Sequence, residues 1–325
     1  MKADLTQISK PIKNDLDQFN QLFKESLKSK VGIVDIVTKY ILKQKGKKIR
    51  PLLVLLSAKV IGEVNERTFR GATLVELLHT ATLVHDDVVD GAEKRRGLPS
   101  INAVWKNKIA VLMGDYLLSR GLLLSIEGKD FDFLEITSNT VKRMSEGELL
   151  QIKKTQKLNI DEQTYFRIIS DKTASLLSTC CEIGAASTTS NQEDIVKMRD
   201  FGEYLGLSFQ IRDDILDYIG STKLVGKPLG ADIKDKKITL PLIHSLEKAS
   251  KNEKAEIIKL VKNGKKKNNI EKIIDFVKKY NGIEFAQSVA EDYANKAKES
   301  LSHFPKSESR DSLETLVNFV VERKK

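Results

Sequence analysis

Two acidic motifs of the same DDxxD form interrupt apolar parts of the chain. The first runs from Asp86 to Asp90 and the second from Asp213 to Asp217. On a helix, residues four apart lie on one face, so each motif brings its outer carboxylates together. Neighbouring carboxylates repel each other and are costly to bury, and a hard cation removes this cost. The motifs therefore predict Mg²⁺, which binds through a few carboxylates and leaves positions for water and phosphate oxygens.

Polar residues extend both motifs along the same helix faces. His79 precedes Asp86 by two helical turns, which indicates a ligand-facing histidine rather than a core histidine. Gln210 starts a stripe that continues through the second motif at i+3, i+4 and i+7. His85 lacks such an alignment, and we expect it to be structural. A solvated acidic face does not explain these stripes, because apolar residues flank them.

Basic residues lie near both motifs in the sequence. Guanidinium and ammonium groups bind phosphate oxygens, so together with two metal-binding stripes they predict a site for two diphosphates. The residues concerned are Lys47, Arg50, Arg95, Arg96, Lys172, Lys227 and Lys237. Lys227 does not belong to a Walker A loop, since Pro228 stands where that loop needs Ser or Thr.

Two diphosphates, Mg²⁺ and apolar helices narrow the chemistry. Phosphoryl transfer usually takes place on an α/β scaffold with a Gly-rich cradle, and the sequence shows neither. Departure of a whole diphosphate from an allylic carbon fits better, because metal ions stabilise the charge on the leaving group. An apolar cavity would keep water away from the resulting carbocation.

The elements that must position these residues are predicted to be helices in one domain, residues 1–325. The chain has only 6 prolines and no Gly- or Pro-rich linker, and no apolar–polar alternation persists long enough to indicate a sheet. Loops are expected at 91–99 and 220–235. Helical patterns cover residues 5–30, 52–61, 67–90, 102–121, 133–151, 161–187 and 193–219. The predicted fold class is all-α.

Charge and cysteine content restrict the partners and the compartment. The net charge is +10, and half of the excess lies in residues 251–325, with 17 Lys and Arg against 12 Asp and Glu. This region is a solvated face, touches an anionic membrane surface or attracts an anionic substrate. Nucleic acid is not an expected partner, because no stacking aromatics accompany the basic residues. The adjacent Cys180 and Cys181, with no signal peptide or membrane-spanning segment, predict a cytoplasmic protein.

The motifs and their order resemble those of the trans-polyprenyl diphosphate synthases, and the resemblance runs over most of the chain. A lone DDxxD motif is a weak signal, whereas this ordered set is specific. The matching segments are Gly46–Pro51 (GKKIRP), Asp86–Asp90 with Arg95, Arg96 and Gly97, Gly114–Leu117, Lys172 with Thr173, Phe209 and Gln210 with Asp213–Asp217, and Gly226 and Lys227 with Gly230 and Asp232.

The resemblance implies the isoprenoid synthase fold, a helical bundle around a deep central cavity, usually as a homodimer. It implies that isopentenyl diphosphate is held by Lys47, Arg50, His79 and Arg96. It implies Mg²⁺ ligands at Asp86, Asp90 and Asp213, supported by Asp87, Asp214 and Asp217. An allylic diphosphate, expected to be farnesyl diphosphate, would bind Arg95, Lys172, Lys227 and Lys237, with Thr173 and Gln210 lining the site. The implied reaction is ionisation, condensation and proton loss, with the departing diphosphate as the usual proton acceptor.

The length of the product depends on the residues below the first motif. Ala81 and Thr82 lie one turn from Asp86 towards the start of the helix, and a turn rises about 5.4 Å, roughly one isoprene unit. Short-chain members of the family typically have an aromatic side chain at this level. The small residues here predict a long product of about C30–C50, near C40, of the kind used for quinone side chains. Residues 120–150 could still close the tunnel at a lower level.

The sequence bears on three alternative functions. A short-chain synthase making C15 or C20 farnesyl or geranylgeranyl diphosphate remains the alternative. A terpene cyclase of the same fold is disfavoured, because cyclases usually replace the second acidic motif and need no isopentenyl site. A non-catalytic partner subunit is disfavoured because such subunits generally lose an acidic motif. The sequence leaves open whether a second, different subunit is required.

Overall fold

Helices make up most of the chain, so the all-α prediction is confirmed. This computed structural model describes residues 5–44, 46–219, 230–264 and 267–323. The α-helices are α1 (Leu5–Ile8), α2 (Lys13–Ser26), α3 (Gly32–Lys43), α4 (Ile49–Ile61), α5 (Glu66–Val89), α6 (Ile101–Glu127), α7 (Phe131–Lys157), α8 (Glu162–Ile169), α9 (Ser175–Ala186), α10 (Gln192–Ile219), α11 (Ala231–Lys234), α12 (Leu240–Lys248), α13 (Lys251–Lys262), α14 (Lys267–Lys279), α15 (Gly282–Ser302) and α16 (Glu308–Glu322).

Helices α5 and α10 carry the acidic motifs near their C-terminal ends. Helix α5 begins with a capping box, in which Asn65 Oδ1 accepts a hydrogen bond from the Thr68 amide at 3.1 Å. The Thr68 hydroxyl in turn accepts from the Asn65 amide at 3.2 Å. These bonds satisfy amide groups that a helix start leaves unpaired. The cap therefore fixes the start of the helix whose last turn presents the first motif.

Buried apolar side chains form two clusters. The first lies mainly between α4, α5, α6, α9 and the start of α10, and the second lies between α8, the end of α10 and α12 to α15. Helix α10 contributes to both, with Phe201 in the first cluster and Ile215 in the second. This shared helix is compatible with one domain over residues 1–325, which stays a prediction.

Two predicted helices are interrupted. Residues 161–187, predicted as one helix, form α8 and α9 with a π-helical turn, Ser170–Ala174, between them. Within residues 5–30, a 3₁₀ turn at Lys10–Ile12 separates α1 from α2. Pro11 explains the second break, because it has no amide hydrogen to continue an α-helix. The break at Ser170–Ala174 has no such marker in the sequence. π-helical turns of this kind are frequent at functional sites.

The predicted loop at 91–99 contains a small antiparallel ladder. Strand β1 (Lys94–Arg95) pairs with strand β2 (Leu98–Pro99). The two residues between them, Arg96 and Gly97, have φ angles of 51° and 81°. Positive φ at both turn positions suits a tight hairpin. A ladder of two residues is too short to give a sequence alternation, although it fixes the backbone that carries both predicted arginines.

Helix α6 is long and apolar enough by length and composition to cross a membrane, and it is the one such helix found in the described ranges. Only 33% of its most apolar 18-residue stretch is buried. It nevertheless packs along α5, with Gly114 against His85 and Gly121 against Leu74. The core helices of soluble proteins also pass such a test, so the exposed side of α6 needs a separate explanation.

Candidate active site

A cavity of about 410 Å³, here called the acidic cavity, lies beside the second motif. Its apolar wall includes Ile160, Ile168, Ile169 and Ile238. It also collects seven of the residues singled out in the sequence: Lys172, Thr173, Gln210, Asp213, Asp214, Asp217 and Lys237. Folding therefore brings carboxylates, ammonium groups and an apolar surface from four segments of the chain to one place.

Asp214 is buried within a chain of hydrogen bonds. The Tyr165 hydroxyl donates to Asp214 Oδ2 at 2.6 Å, and Gln210 Nε2 donates to Asp214 Oδ1 at 2.9 Å. Gln210 Oε1 accepts from the Thr173 hydroxyl at 2.9 Å. Burial, followed by repulsion from Asp232, raises the pKa of Asp214. Because both of its oxygens are engaged, Asp214 orients Gln210 and Thr173. No spacing or motif in the sequence indicated Tyr165.

Asp217 holds the chain at the far side of the acidic cavity. Its Oδ1 accepts from the Ala231 amide at 2.9 Å and its Oδ2 from the Asp232 amide at 3.1 Å, so it caps the start of α11. Lys237, just after this helix, lies with its Nζ 3.9 Å from Asp232 Oδ1. The prediction for Lys227 lies outside the described residues.

The π-helical turn places Lys172 and Thr173 between two close neighbours. A Cβ atom at Gly147 of α7 would lie 2.9 Å from Asp171 Cβ, and a Cβ atom at Gly206 of α10 would collide with Ala174. Only glycine allows α7 and α10 to approach the turn this closely. The turn is held further by Arg143, whose guanidinium bonds to Asp171 at 3.0 Å, to Ser170 at 2.8 Å and to Glu203 at 3.1 Å.

The carboxylates of Asp86 and Asp90 lie at the C-terminal end of α5, with no ion pair or side-chain hydrogen bond to any described residue. Asp86 is accessible to solvent, yet surrounding protein removes part of its hydration and raises its pKa. Lys172 opposes this shift, whereas Glu148 and Asp90 add to it. Lys172 itself forms an ion pair with Glu148. Lys172 therefore links the first motif electrostatically to the acidic cavity.

Asp87 points to a different partner. It is 3% exposed and accepts two bonds from the Arg95 guanidinium, the one from Nε at 2.8 Å. Such a forked pair fixes the hairpin against the end of α5. In this structure Arg95, expected to bind an allylic diphosphate, is engaged by Asp87. Asp87 therefore holds Arg95, and its supporting role at the metal stays a prediction.

Asp213 meets a cation that the sequence did not single out. Arg323, just beyond α16, donates to Asp213 Oδ1 at 2.8 Å and to the Phe209 carbonyl at 3.0 Å. Its guanidinium carbon also lies 3.9 Å from the centre of the Phe209 ring. Arg323 is 9% exposed, while Asp213 is 49% exposed and free to gain further ligands. Because the two residues are far apart in the sequence, their spacing did not indicate this ion pair.

The residues fit a divalent cation completed by other ligands. All donors are carboxylate oxygens, which Mg²⁺ prefers. Both motifs lie at helix C-termini, where the helix dipole disfavours negative charge and a cation offsets the cost. Within the described part of the chain, no three His, Cys, Asp or Glu side chains converge as a closed metal cage. An open arrangement suits an ion that also binds water and substrate phosphate.

A second cavity of about 370 Å³, here called the basic cavity, lies at the start of α4. Its lining contains all four residues expected to hold isopentenyl diphosphate, which are Lys47, Arg50, His79 and Arg96. Lys48 and Glu76 also line it. Arg50 Nε is buried without a hydrogen-bond partner, and burial lowers the pKa of Arg50. Burial and the nearby arginines lower the pKa of His79 well below its usual value. The cavity therefore offers cationic hydrogen-bond donors for an anion.

The hairpin lines more than one cavity. A smaller cavity of about 90 Å³ is lined by Arg95 and Arg96 of the hairpin together with Asp87, Lys48 and Glu76. Arg96 also lines the basic cavity, and Arg95 acts on the pKa of Asp86. The hairpin therefore carries one arginine of the basic cavity and one that acts on the first motif.

Ala81 and Thr82 lie on α5 below the first motif, as predicted. Ala81 is 2% exposed and belongs to the first core cluster. The Thr82 hydroxyl donates to the His79 carbonyl at 2.9 Å, which removes its polar group from any tunnel. His85 packs against Gly114 of α6 and its Nε2 lies 3.2 Å from the Val111 carbonyl, consistent with the structural role expected for it.

An all-helical bundle with paired acidic motifs beside a basic cavity defines the architecture of an isoprenoid synthase. Residues 32–277 match the family described as Polyprenyl synthetase, and the chain belongs to this family. It is accordingly a prenyltransferase of the trans-prenyl diphosphate synthase class. Members of this class use isopentenyl diphosphate and an allylic diphosphate.

Curated relatives differ in product length. The chain is 31% identical to octaprenyl diphosphate synthase from Haemophilus influenzae, covering 98% of this chain and 97% of the relative. It is 34% identical to component 2 of heptaprenyl diphosphate synthase from Bacillus subtilis, covering 96% and 89%. It is also 34% identical to a short chain isoprenyl diphosphate synthase from Methanothermobacter thermautotrophicus, covering 86% of each.

Solved structures share the whole fold. A polyprenyl synthase from Caulobacter crescentus, complexed with calcium and isoprenyl diphosphate, aligns with a TM-score of 0.91 at 32% identity, covering 100% of this chain and 99% of that one. A decaprenyl diphosphate synthase from Rhodobacter capsulatus aligns with a TM-score of 0.93 at 32% identity, covering 99% and 100%. The predicted isoprenoid synthase fold is therefore confirmed.

Proposed function

We propose that this prenyl diphosphate synthase adds isopentenyl diphosphate stepwise to an allylic primer, farnesyl diphosphate, and makes an all-trans product near C40 for quinone side chains. The observation that supports a long product is the wall below the first motif. Gly114 contacts His85 and Gly121 contacts Leu74, so α6 runs antiparallel to α5. This register sets buried Leu117 at the level of Ala81, where both side chains are aliphatic.

The purified protein should be incubated with Mg²⁺, farnesyl diphosphate and radiolabelled isopentenyl diphosphate, and the dephosphorylated products separated by chain length. Products around C40 are expected. Products that stop at C15 or C20 would contradict the long-chain proposal and favour the short-chain alternative, which the Methanothermobacter relative keeps open. Hydrocarbon released from the allylic substrate alone would indicate a cyclase.

Each of the two cavities is assigned one of the two diphosphate substrates. We place the allylic diphosphate at Lys172 and Lys237 of the acidic cavity and isopentenyl diphosphate at Arg50, His79 and Arg96 of the basic cavity. Asp86, Asp90 and Asp213 would hold Mg²⁺, which stabilises negative charge on a departing diphosphate. The isoleucine wall excludes water from the cation that this departure leaves. The departing diphosphate accepts the proton that the condensed product loses.

Substitution of Ala81 by phenylalanine is expected to shorten the main product to about C15–C20, because the ring would stand one helical turn below the first motif, at the level that a longer product would have to pass. Ala81→Ser is the conservative control and should leave the product distribution unchanged. The measurement is the product profile of each variant, taken after thermal unfolding shows that it is folded. An unchanged profile in folded Ala81→Phe would disprove this account of chain length.

We further propose a homodimer that covers the exposed side of α6. Apolar side chains on this side include Leu112 at 56%, Leu123 at 43% and Ile126 at 50% exposure. Phe131 and Leu149 of the neighbouring helix α7 are 62% and 67% exposed. An apolar surface of this extent is uncommon on a monomer and typical of a subunit interface. A second copy also accounts for the low burial of α6 without a membrane.

Replacing Leu112 with lysine is expected to raise the dimer dissociation constant by at least about tenfold, since a buried unpaired ammonium group is costly. Leu22→Lys, at a residue of α2 that is 38% exposed, is the matched control. Light scattering should give twice the chain mass for wild type and control, and a concentration-dependent fall towards 36.6 kDa for Leu112→Lys. A monomeric wild-type protein would contradict the proposal.

The Bacillus relative is named as one component of its enzyme, so a second, different subunit is an alternative for this chain. We propose that the chain acts alone, because both acidic motifs and both cavities occur in it. Activity of the homogeneous protein tests this directly.

We also propose a cytoplasmic location with peripheral membrane contact through residues 251–325, in part outside the described ranges. Sedimentation with anionic vesicles would test that contact.

A further inference from the structure

The basic cavity contains one acidic side chain, Glu76, that the reaction does not explain. Glu76 lies on α5, one turn before His79, and is 9% exposed. It lines both the basic cavity and the smaller cavity beside the hairpin. Among the described residues, no hydrogen-bond donor or cation within ion-pair distance contacts its carboxylate. This differs from Asp87, Asp213 and Asp214, each of which has a defined partner.

The surroundings of Glu76 are strongly charged. Arg50 of α4 and Arg96 of the hairpin act on it most, followed by Lys48 before α4. The Lys48 ammonium is directed to Asn20 of α2 instead. The other titratable groups facing this cluster are Lys47 in the lining of the basic cavity, His79 on the same helix, Cys180 of α9 and Lys24 of α2.

Burial has the largest effect on the protonation of Glu76. Removal of water raises the pKa of Glu76, although Arg50, Arg96 and Lys48 each lower it. A diphosphate placed among the same cations would engage their donors and add several negative charges nearby. An ionised carboxylate would then repel the ligand, whereas a protonated one could donate a hydrogen bond to a phosphate oxygen.

We propose that Glu76 is a further binding residue, which takes up a proton from solvent as a diphosphate enters the basic cavity and donates its O–H to a diphosphate oxygen. The inference rests on the proposed function, which puts isopentenyl diphosphate in this cavity. When the diphosphate leaves, the proton returns to solvent and the carboxylate is restored. Stepwise elongation needs such a departure, because each product must move its diphosphate to the acidic cavity before the next addition.

The expected pH dependence has a definite sign. Below the pKa of Glu76 the acid is already protonated and the affinity is constant. Between this pKa and the higher pKa that Glu76 has in the complex, each binding event takes up a proton, so the affinity falls by up to about tenfold per pH unit. Glu76→Gln keeps a neutral donor of the same shape at all pH values and should lose this component.

Other groups in the cluster do not imitate this behaviour. Burial and neighbouring arginines hold the pKa of His79 well below its usual value, so it stays neutral at and above pH 7. Burial raises the pKa of the Cys180 thiol, so it stays protonated. Burial lowers the pKa of Lys48, and its deprotonation would also weaken diphosphate binding. The Glu76 carboxylate raises the pKa of Lys48, so in Glu76→Gln any deprotonated Lys48 adds proton uptake to the variant, which is opposite in sign to the difference expected for Glu76. The ionisation of the ligand is common to both proteins.

Calorimetric titration of isopentenyl diphosphate, without metal, should be run from pH 7 to 9 in two buffers of different ionisation enthalpy. Wild type is expected to take up more protons than Glu76→Gln, by a difference that approaches one with rising pH. Its affinity should fall more steeply than that of the variant. Equal proton uptake and equal pH slopes in the two proteins would overturn the role of Glu76.

Two further variants separate this inference from the proposed function and from a merely structural effect. Glu76→Ala should also lose the extra proton uptake and bind more weakly than Glu76→Gln, because it lacks a donor. Arg50→Met should weaken binding at every pH. If Arg50→Met binds as wild type does, the diphosphate lies elsewhere, and the proposed function and the inference fail together. If Arg50→Met is weak while Glu76→Gln keeps the wild-type proton uptake, only the inference fails.

Discussion

Asp86→Asn is expected to lower kcat by about 10²–10³-fold, the size of effect seen when a group that stabilises transition-state charge is removed. Asp86 and Asp90 have no cation within ion-pair distance among the described residues, and Asp86 has a raised pKa through loss of hydration. The pair is therefore arranged for a cation that the protein does not supply. Asparagine keeps the shape of Asp86 and removes its charge, so the fold should not change.

The measurement is kcat with saturating substrates over a range of Mg²⁺ concentrations. Asp275→Asn, which changes an exposed carboxylate on α14, is the matched control and should behave as wild type. Asp86→Asn should also need more Mg²⁺ for half-maximal activity. Full activity at the wild-type Mg²⁺ requirement would show that Asp86 is not a metal ligand.

Arg50→Met is expected to lower kcat/KM for isopentenyl diphosphate by about two to three orders of magnitude. Loss of one partner of a buried, hydrogen-bonded charge pair costs about 2–5 kcal/mol, and each 1.4 kcal/mol is a factor of ten. The same change should leave the melting temperature unchanged or raise it. Arg50 Nε is buried without a hydrogen-bond partner, and an apolar side chain in such a place avoids the desolvation cost of a charge.

This opposite effect on activity and stability distinguishes a ligand-binding arginine from a structural one. Lys59→Met, at the other end of α4, is the control. Lys59 forms a partly exposed ion pair with Asp15 at 3.3 Å, so its loss should change stability and activity little. A lower melting temperature for Arg50→Met with unchanged kinetics would mean that Arg50 supports the fold and not the substrate.

The sequence predicted those parts of the site whose residues lie on one helix. The 3.6-residue period places His79 on the same face of α5 as Asp86, and Gln210 on the same face of α10 as Asp214 and Asp217. The order of the motifs added Lys47, Arg50 and Arg96, which the structure collects in one cavity with His79. Local periodicity and motif order therefore sufficed for most of the candidate site.

Contacts between distant segments could not be predicted from periodicity. Arg323 reaches Asp213, and Tyr165 reaches Asp214, through tertiary packing that leaves no spacing signal. The π-helical turn under Lys172 depends on the close approach of glycines in two other helices, Gly147 and Gly206. The resemblance divided each DDxxD motif into metal-ligand and supporting residues, but it did not show which protein groups separate them in the structure.

The separation follows from burial. Asp87 and Asp214, the second residues of the motifs, are 3% and 4% exposed and take up Arg95 and the Tyr165–Gln210 pair. Asp86 and Asp213, the first residues, are accessible to solvent. A helical turn directs adjacent residues about 100° apart, so only some motif members can face the cleft while their neighbours bind protein groups.

The most direct test is a crystal structure with Mn²⁺ and the non-cleavable farnesyl thiolodiphosphate, in which anomalous scattering locates each metal ion. We expect manganese between the diphosphate and the carboxylates of Asp86 and Asp90 on one side and Asp213 on the other, with Arg323 sharing or releasing Asp213. Manganese bound elsewhere, or a diphosphate held with no metal at either motif, would contradict the account.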